Sequence, residues 1–384
     1  MELFVLAILV LSYFSTDVSM LVWYSPDKHS IVNCEIKRNG KKCINEEQVL
    51  IEGVGAVHGI AVDWVHNLLF WTERMMKRRE VGEVNVFDMN SKLQTTIAEV
   101  GVVQPDAIVV DPTVGLVFWC DHSTGWIERM EMNGEGRETI ISTLLPSALT
   151  LDLVSKRLFW SDAKRKQIYS CDYDGDKLRV ILQNHLNLKH PFSLAVFENR
   201  IYWSDLDHSQ IVSANKFTGI DIRRVVAGPI VGHSTIRIYH ELTQPSHPNK
   251  CGNKDSCAPE EICIPRGVIR LKANIIADVH TFAARIAYPY RCVCSKGYLF
   301  NITTRNCQLK PLMIESIEVE SVEVQSDEVE SNSPKHIVVG LTSLFVVGAI
   351  FVIGGVVVYR KRRLNNAINR YNMLNRVEYH RGDN

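Results

Sequence analysis

From about residue 20 to residue 227 the chain is a succession of short apolar runs broken by Gly, Asn and Asp. One run recurs: "LVWYS" (Leu21 to Ser25), "LFWTE" (Leu69 to Glu73), "VFWCD" (Val117 to Asp121), "LFWSD" (Leu158 to Asp162) and "IYWSD" (Ile201 to Asp205). Successive copies are 48, 48, 41 and 43 residues apart. Ahead of the last four copies stand "GIAVD", "AIVVD", "ALTLD" and "SLAVF". Behind several come a third run such as "QIYSCDYDG" and a fourth such as "LRVILQN". Brief or alternating apolar runs with turn residues at the breaks predict strands joined by hairpins. Four such strands per unit of roughly 45 residues predict an all-β propeller, whose blades must stack to bury both faces.

The repeated run fits that architecture. Alternate side chains of a strand face opposite ways, so Phe70 and Thr72 share one face while Trp71 and Glu73 share the other. Large aromatics on both faces suit a blade held between two others. Trp23, Trp71, Trp119, Trp160 and Trp203, with the acids Asp121, Asp162 and Asp205, therefore read as a structural motif. The acids recur once per blade instead of converging as an acid/base pair must. Nucleophile elbow, phosphate-binding glycine loop and HExxH are all missing, so the expectation is a protein that is not an enzyme, with no cofactor and no metal.

Charge changes the picture outside the repeats. Formal net charge is zero over 384 residues, which gives no argument for nucleic acid. Residues 311–335 carry seven acids and one Lys, and residues 360–384 carry seven Arg or Lys against two acids. Between them "IVVGLTSLFVVGAIFVIGGVVVY" (residues 337–359) is free of charge, and about 20 apolar residues span a bilayer core. "RKRR" (Arg360 to Arg363) follows at once, which predicts a single-pass type I membrane protein with a cytoplasmic tail at 360–384. The acidic, Ser-containing stretch 309–336 reads as an extended stalk. Residues 1–19 have the apolar length of a signal peptide, the alternative being an apolar strand. Six of ten Cys fall between Cys251 and Cys307, the density of a small extracellular disulfide module (250–308), and Asn301 in "NIT" is a glycosylation acceptor. Cys34 and Cys43 flank a turn and either form a local disulfide or do not. Cys120 and Cys171 sit on strands and read as buried thiols.

The repeats resemble the YWTD propeller of the LDL-receptor family. "HPFSLAVFENRIYWSDLDHSQIVSANKFTG" is a close match, as is the exit "IRIYHELTQPSHPNKC" leading into an EGF-like module. "WYSPDKHSI" and the EGF segment lean toward the arthropod vitellogenin or yolk-protein receptors within that family. The resemblance implies a propeller over 21–245 and disulfides Cys251–Cys263, Cys257–Cys292 and Cys294–Cys307, whereas spacing alone leaves the pairing open. It also implies uptake of a lipoprotein or yolk protein and a folding chaperone of the secretory pathway. Localisation would be the plasma membrane, coated pits and endosomes. Three departures stand out. The family ring has six blades and this chain has five motif copies, with "STIRIYHEL" resembling the inner strand of an uncompleted sixth; the expectation is an N-terminally truncated ring. The cysteine-rich ligand-binding modules are absent. Residues 264–291 form an insertion in the EGF-like module, and no acidic cluster suggests calcium there.

His66 lies in "DWVHNLLFWTE", where the resemblance implies a pH sensor for acid-dependent ligand release. An imidazole titrates between cell-surface and endosomal pH. Val114 occupies the matching turn of the next blade, and the alternative is a solvent-exposed turn His. In the tail, Tyr371 and Leu374 fit a YxxΦ signal for a clathrin adaptor, while "NRVEY" lacks the Pro and spacing of an NPxY signal. The function expected is thus the C-terminal part of an endocytic lipoprotein or vitellogenin receptor. A Wnt-coreceptor-like or EGF-precursor-like binding protein is the alternative.

Overall fold

A computed structural model describes residues 6–12, 18–37, 43, 45–75, 81–205, 207, 210–227, 236–238, 240–252, 257–267, 289–301, 304 and 306–310. Twenty of its strands form five antiparallel four-stranded sheets in chain order, a five-bladed all-β propeller. Blade 1 comprises β1 (Leu6–Ser12), β2 (Val18–Ser25), β3 (Ser30–Lys37) and β4 (Gln48–Glu52). Blade 2 is β5 (Ala56–Asp63), β6 (Leu68–Arg74), β7 (Gly82–Asp88) and β8 (Gln94–Ala98). Blade 3 is β9 (Pro105–Asp111), β10 (Leu116–Asp121), β11 (Trp126–Glu131) and β12 (Glu138–Ser142). Blade 4 is β13 (Pro146–Asp152), β14 (Arg157–Asp162), β15 (Gln167–Asp172) and β16 (Arg179–Gln183). Blade 5 is β17 (Pro191–Phe197), β18 (Arg200–Asp205), β19 (Gln210–Asn215) and β20 (Arg223–Ala227).

Each recurrent motif is the second strand of its blade, and the alternation of its side chains builds the core. Phe70, Phe118 and Phe159 pack toward the following blade, while Trp71, Trp119, Trp160 and Trp203 pack toward the preceding one. Phe70 thus shares a cluster with Trp119 of blade 3, and Phe159 shares one with Trp203 of blade 5. Interlocked aromatics of this kind each bury a large apolar area between blades. Innermost strands pack in sequence, β1 on β5, β5 on β9, β9 on β13 and β13 on β17. Among the described residues no comparably packed pair of strands joins β17 to β1. The end blades register this. Trp23 of blade 1 and Tyr202 of blade 5 are only half-buried, although their counterparts in the intervening blades are fully covered.

Two segments differ from the sequence-based reading. Leu6–Ser12, whose apolar length suggests a leader, is the innermost strand of blade 1 and pairs with β2. An apolar strand and the core of a leader are both short continuous apolar runs, which composition does not separate. The stretch expected to begin a sixth blade is not a strand at its described positions Ile236 to Ile238. The Ile236 amide donates to Ser193 Oγ beside β17, and a short 3-10 turn follows at Glu241–Thr243.

Two small hairpins follow, β21 (Glu261–Pro265) with β22 (Tyr290–Cys294), and β23 (Tyr298–Asn301) with β24 (Asn306–Leu309). Disulfides join Cys251 to Cys263, Cys257 to Cys292 and Cys294 to Cys307. The first hairpin is docked on the propeller, because Ile262 and Ile264 are fully buried in the cluster of Phe70, Val86, Trp119 and Met130. Gly115, at φ +71 in the β9–β10 turn, makes this approach possible. A Cβ there would lie 2.7 Å from the Arg266 carbonyl oxygen, and one on Gly267 would lie 2.7 Å from the Gly115 oxygen. Most of the insertion at 264–291, the stalk from residue 311, the predicted span and the tail lie outside the described residues. Among the described residues no helix is long and apolar enough to cross a membrane.

Candidate functional site

The motif carboxylates are fastened to backbone at one end of the blades. Asp121 Oδ2 accepts the amides of Val103 and Gln104 at 2.8 and 2.9 Å, and its Oδ1 accepts those of Ser123 and Thr124. Asp162 accepts Thr143 Oγ1 and the Leu144 and Arg165 amides. Asp205 takes the Lys189 and His190 amides, and Glu73 takes the Gly55 amide and the Trp71 indole. Asp121 and Asp162 therefore tie the connection that enters their blade to the turn that leaves it, Glu73 and Asp205 hold the entering connection, and the buried carboxylates are satisfied. Burial raises the Asp162 carboxyl, but the hydrogen bonds from Thr143, Arg165 and Leu144 outweigh it and leave the group below its usual range. In Glu73 burial prevails over the Trp71 and Gly55 bonds and the carboxyl is raised.

His66 is not exposed. Its side chain is fully buried, with Nδ1 2.6 Å from Asp63 Oδ2, while Asp63 Oδ1 accepts the Val65 and His66 amides. Among the described residues His66 Nε2 is buried without a partner. The preceding Trp64 donates its indole N–H to the Pro245 carbonyl at 3.0 Å, so this turn meets the segment leaving the propeller. Lys250 stands in the field of Asp63 and Glu131 and donates to the Arg266 carbonyl. The His66 turn thus borders the seat of the first disulfide hairpin.

A second titratable group occupies the opposite end of blades 2 and 3 and has no sequence signature. His58 Nδ1 on β5 lies 4.0 Å from Asp106 Oδ1 on β9, both partly buried, with Arg74, His122 and Asp121 contributing to the local field. Burial first, then Arg74 and His122, pushes His58 down to about 4. Burial pushes Asp106 up to about 6 against the pull of Arg74. Burial and then Arg74 also lower His122.

Residues 156–198 match the low-density lipoprotein receptor repeat class B. That repeat runs from β14, which carries the LFWSD motif of blade 4, through β17, the first strand of blade 5. The chain carries the LDL-receptor class B repeat. It is 31% identical over 221 residues to the vitellogenin receptor Yl of Drosophila melanogaster, covering 57% of this chain and 11% of that one. It is 29% identical over 208 residues to the vitellogenin receptor of Solenopsis invicta, covering 53% and 11%. The chain therefore spans about a tenth of the length of these curated relatives. Both relatives are receptors and are its homologues. Among solved structures, a nidogen/laminin complex matches at 18% identity and a TM-score of 0.41, over 54% of this chain and 92% of that one. A gluconolactonase from Xanthomonas campestris matches at 16% identity and a TM-score of 0.43, over 56% and 74%.

Between blades 3, 4 and 5, further polar ties appear that the motif did not announce. Asp111 at the end of β9 accepts Lys156 Nζ at 2.7 Å and Tyr173 Oη at 2.9 Å from blade 4. Asp152 at the end of β13 accepts Lys216 Nζ at 2.5 Å from blade 5. The signal was present in the recurrent terminal Asp of "VVD" and "TLD", whose partners lie 45 to 64 residues downstream, on the following blade. Cys120 and Cys171 are buried free thiols, held well above the ordinary range and at about 12 respectively, chiefly by burial. Cys34 and Cys43 are joined. Asn301 closes β23 with its amide donating to Gln308, and Tyr371 and Leu374 lie outside the described residues.

The opposed titrations of His58 and Asp106 have a measurable consequence. A His lowered by folding leaves the unfolded chain to bind the proton first, so its share of stability is lost from about pH 6.5 down to about 4. An Asp raised by folding binds the proton first in the native state, so stability is gained as pH falls from about 6 toward about 4. Each contributes about 2 kcal/mol after allowance for partial exposure, and the two nearly cancel. Relative to the parent, Asp106→Asn is expected to lose stability across that window and His58→Gln to gain it. Urea unfolding at a series of pH values reads both; profiles parallel to the parent would count against the pairing.

Proposed function

We propose that the chain is the membrane-proximal part of an endocytic receptor for a lipoprotein or yolk protein. The observation carrying this reading is its 31% identity over 221 residues to a vitellogenin receptor, reinforced by the class B repeat. A propeller followed by disulfide-linked hairpins agrees with an extracellular setting, where disulfides persist and Asn301 would carry a glycan. The uncharged run at 337–359 would anchor the protein once in the plasma membrane, and Tyr371 with Leu374 would engage a clathrin adaptor. Binding, not catalysis, is the task assigned to the propeller, and the cargo would be captured by modules beyond this segment.

Acid-dependent release would use the His66 turn. Protonation in an endosome would put an N–H on the buried Nε2, where no acceptor stands among the described residues, and the turn would have to move to satisfy it. That turn touches the exit segment through Trp64 and Pro245, which offers a route from proton to domain arrangement. Recycling of the emptied receptor would follow.

Internalisation is the direct test. A cell-surface reporter carrying the span and tail of this chain should be taken up, and Tyr371→Ala should slow uptake several-fold. Antibody-chase flow cytometry measures it, and equal rates would remove the sorting role. In a receptor carrying ligand modules, His66→Gln should shift the pH at which labelled yolk lipoprotein is released; superimposable release curves would remove His66 from the mechanism.

A further inference from the structure

The end of blade 4 where β14 leaves and β15 begins carries a concentration of positive charge that neither the fold nor the homology uses. Lys164, Arg165 and Lys166 are exposed on the β14–β15 turn. The segment joining β16 to β17 adds half-buried His185 and exposed Lys189 and His190. Strand register brings the two segments together: Gln167 opposes Gln183, and their side chains are hydrogen-bonded at 2.9 Å. Among the described residues the acids at this end do not pair with Lys164, Lys166 or Lys189. Asp162 and Asp205 are buried and occupied by backbone amides and Thr143. Asp207 is exposed but stands 3.8 Å from His190.

The turn does not require this charge. In blade 3 the corresponding turn is His122-Ser-Thr-Gly125, with no Lys or Arg, and it is held by the same Asp-to-amide bonds. Like charges gathered on adjoining segments repel, so the cluster is a cost to folding that an anionic partner would relieve. Among the described residues of these two segments, Leu186 is the one exposed large apolar side chain, too little to anchor a protein hot spot. Long, solvated cations without an apolar anchor suit a linear polyanion held by charge.

We propose that this crown of blade 4 binds a sulfated glycosaminoglycan, through Lys164, Lys166 and Lys189. The site is separate from the His66 turn, which lies at the opposite end of its own blade, and it would add attachment to extracellular polysaccharide to the receptor's capture of cargo.

Retention of the detergent-solubilised full chain on immobilised heparin tests this. The parent should be held at about 0.15 M salt and elute only as salt rises. The variant Lys164→Gln/Lys166→Gln/Lys189→Gln should elute several-fold earlier. Its dependence of log affinity on log salt should fall by about one for each cation removed, on the counterion-release argument. Lys177→Gln, at the other end of the same blade, should match the parent. These side chains are exposed, and unchanged thermal unfolding of the triple variant would establish that its fold is intact. Elution of that variant with the parent would overturn the assignment. So would equal retention of the parent on immobilised polyglutamate, which would point to an acidic polypeptide.

Discussion

Removing both counter-charges of Arg129, by Glu138→Gln with Asp174→Asn, is expected to destabilise the propeller by about 3–5 kcal/mol. Arg129 on β11 is among the largest fully buried side chains, 2% exposed. Its guanidinium reaches Glu138 on β12 and, in the next blade, both Asp174 and the Tyr173 carbonyl at 2.8 Å. The two acids are partly exposed and tolerate loss of the arginine by turning to water, but the arginine has no such recourse. The order of effects follows from that asymmetry. Stripping the acids costs most, whereas restoring neutrality with Arg129→Met in the double variant should recover a large share, since an unpaired buried charge costs more than an apolar replacement. Urea unfolding of the purified propeller-bearing chain measures the series. A double variant within about 1 kcal/mol of the parent would show that water reaches the guanidinium.

Trp160→Ala is expected to cost a similar amount, about 3–5 kcal/mol, through a cavity between blades 3 and 4. Trp160 is 1% exposed and lies stacked on Tyr169 with ring centroids 5.3 Å apart, in the cluster that holds Phe118, Leu149 and Cys171. Trp160→Phe should cost much less than the alanine change. It keeps much of the ring volume and deletes an indole N–H that has no acceptor among the described residues. Trp203 makes the contrasting control. Its Nε1 donates to the Asn187 carbonyl at 2.8 Å, so Trp203→Phe abandons a buried carbonyl and should be the more damaging of the two phenylalanine variants. Thermal or urea midpoints rank them, and a reversed order would show that ring size, not the N–H, sets the cost.

How much of this was readable from the chain follows physical lines. The motif strands and their facing rule were legible because a strand alternates every two residues and both faces of a blade must be apolar. Phe70 and Trp71 fall in different clusters as that alternation requires. The motif acids were legible as hydrogen-bond acceptors, though not their partners, which are backbone amides 15 to 18 residues earlier. Arg129 and the His58–Asp106 pair were not legible, because Asp174 and Tyr173 in the one case and the partner itself in the other come from a neighbouring blade, and nothing local distinguishes these groups from surface charges. His66 was legible by position but not by environment: a turn residue is usually wet, and only the docked exit segment and the Asp63 carboxylate make it dry. Leu6–Ser12 was ambiguous in principle, since a leader and an apolar strand share one composition.

The half-covered Trp23 and Tyr202 imply a gradient of local stability along the blades. Among the described residues, blades 2, 3 and 4 each pack closely on two neighbours, whereas the first and last each pack closely on one, as the terminal units of a linear array do. Stability in such an array is a sum over nearest-neighbour interfaces, so opening begins at the ends and moves inward. Amide protons of β10 and β14 would then report the global unfolding free energy, while those of β2 and β18 exchange through cheaper excursions that leave the centre intact. The blade most insulated from those excursions is the third, which also carries Gly115 and seats the first disulfide hairpin, so that joint is built on the part of the molecule that opens last.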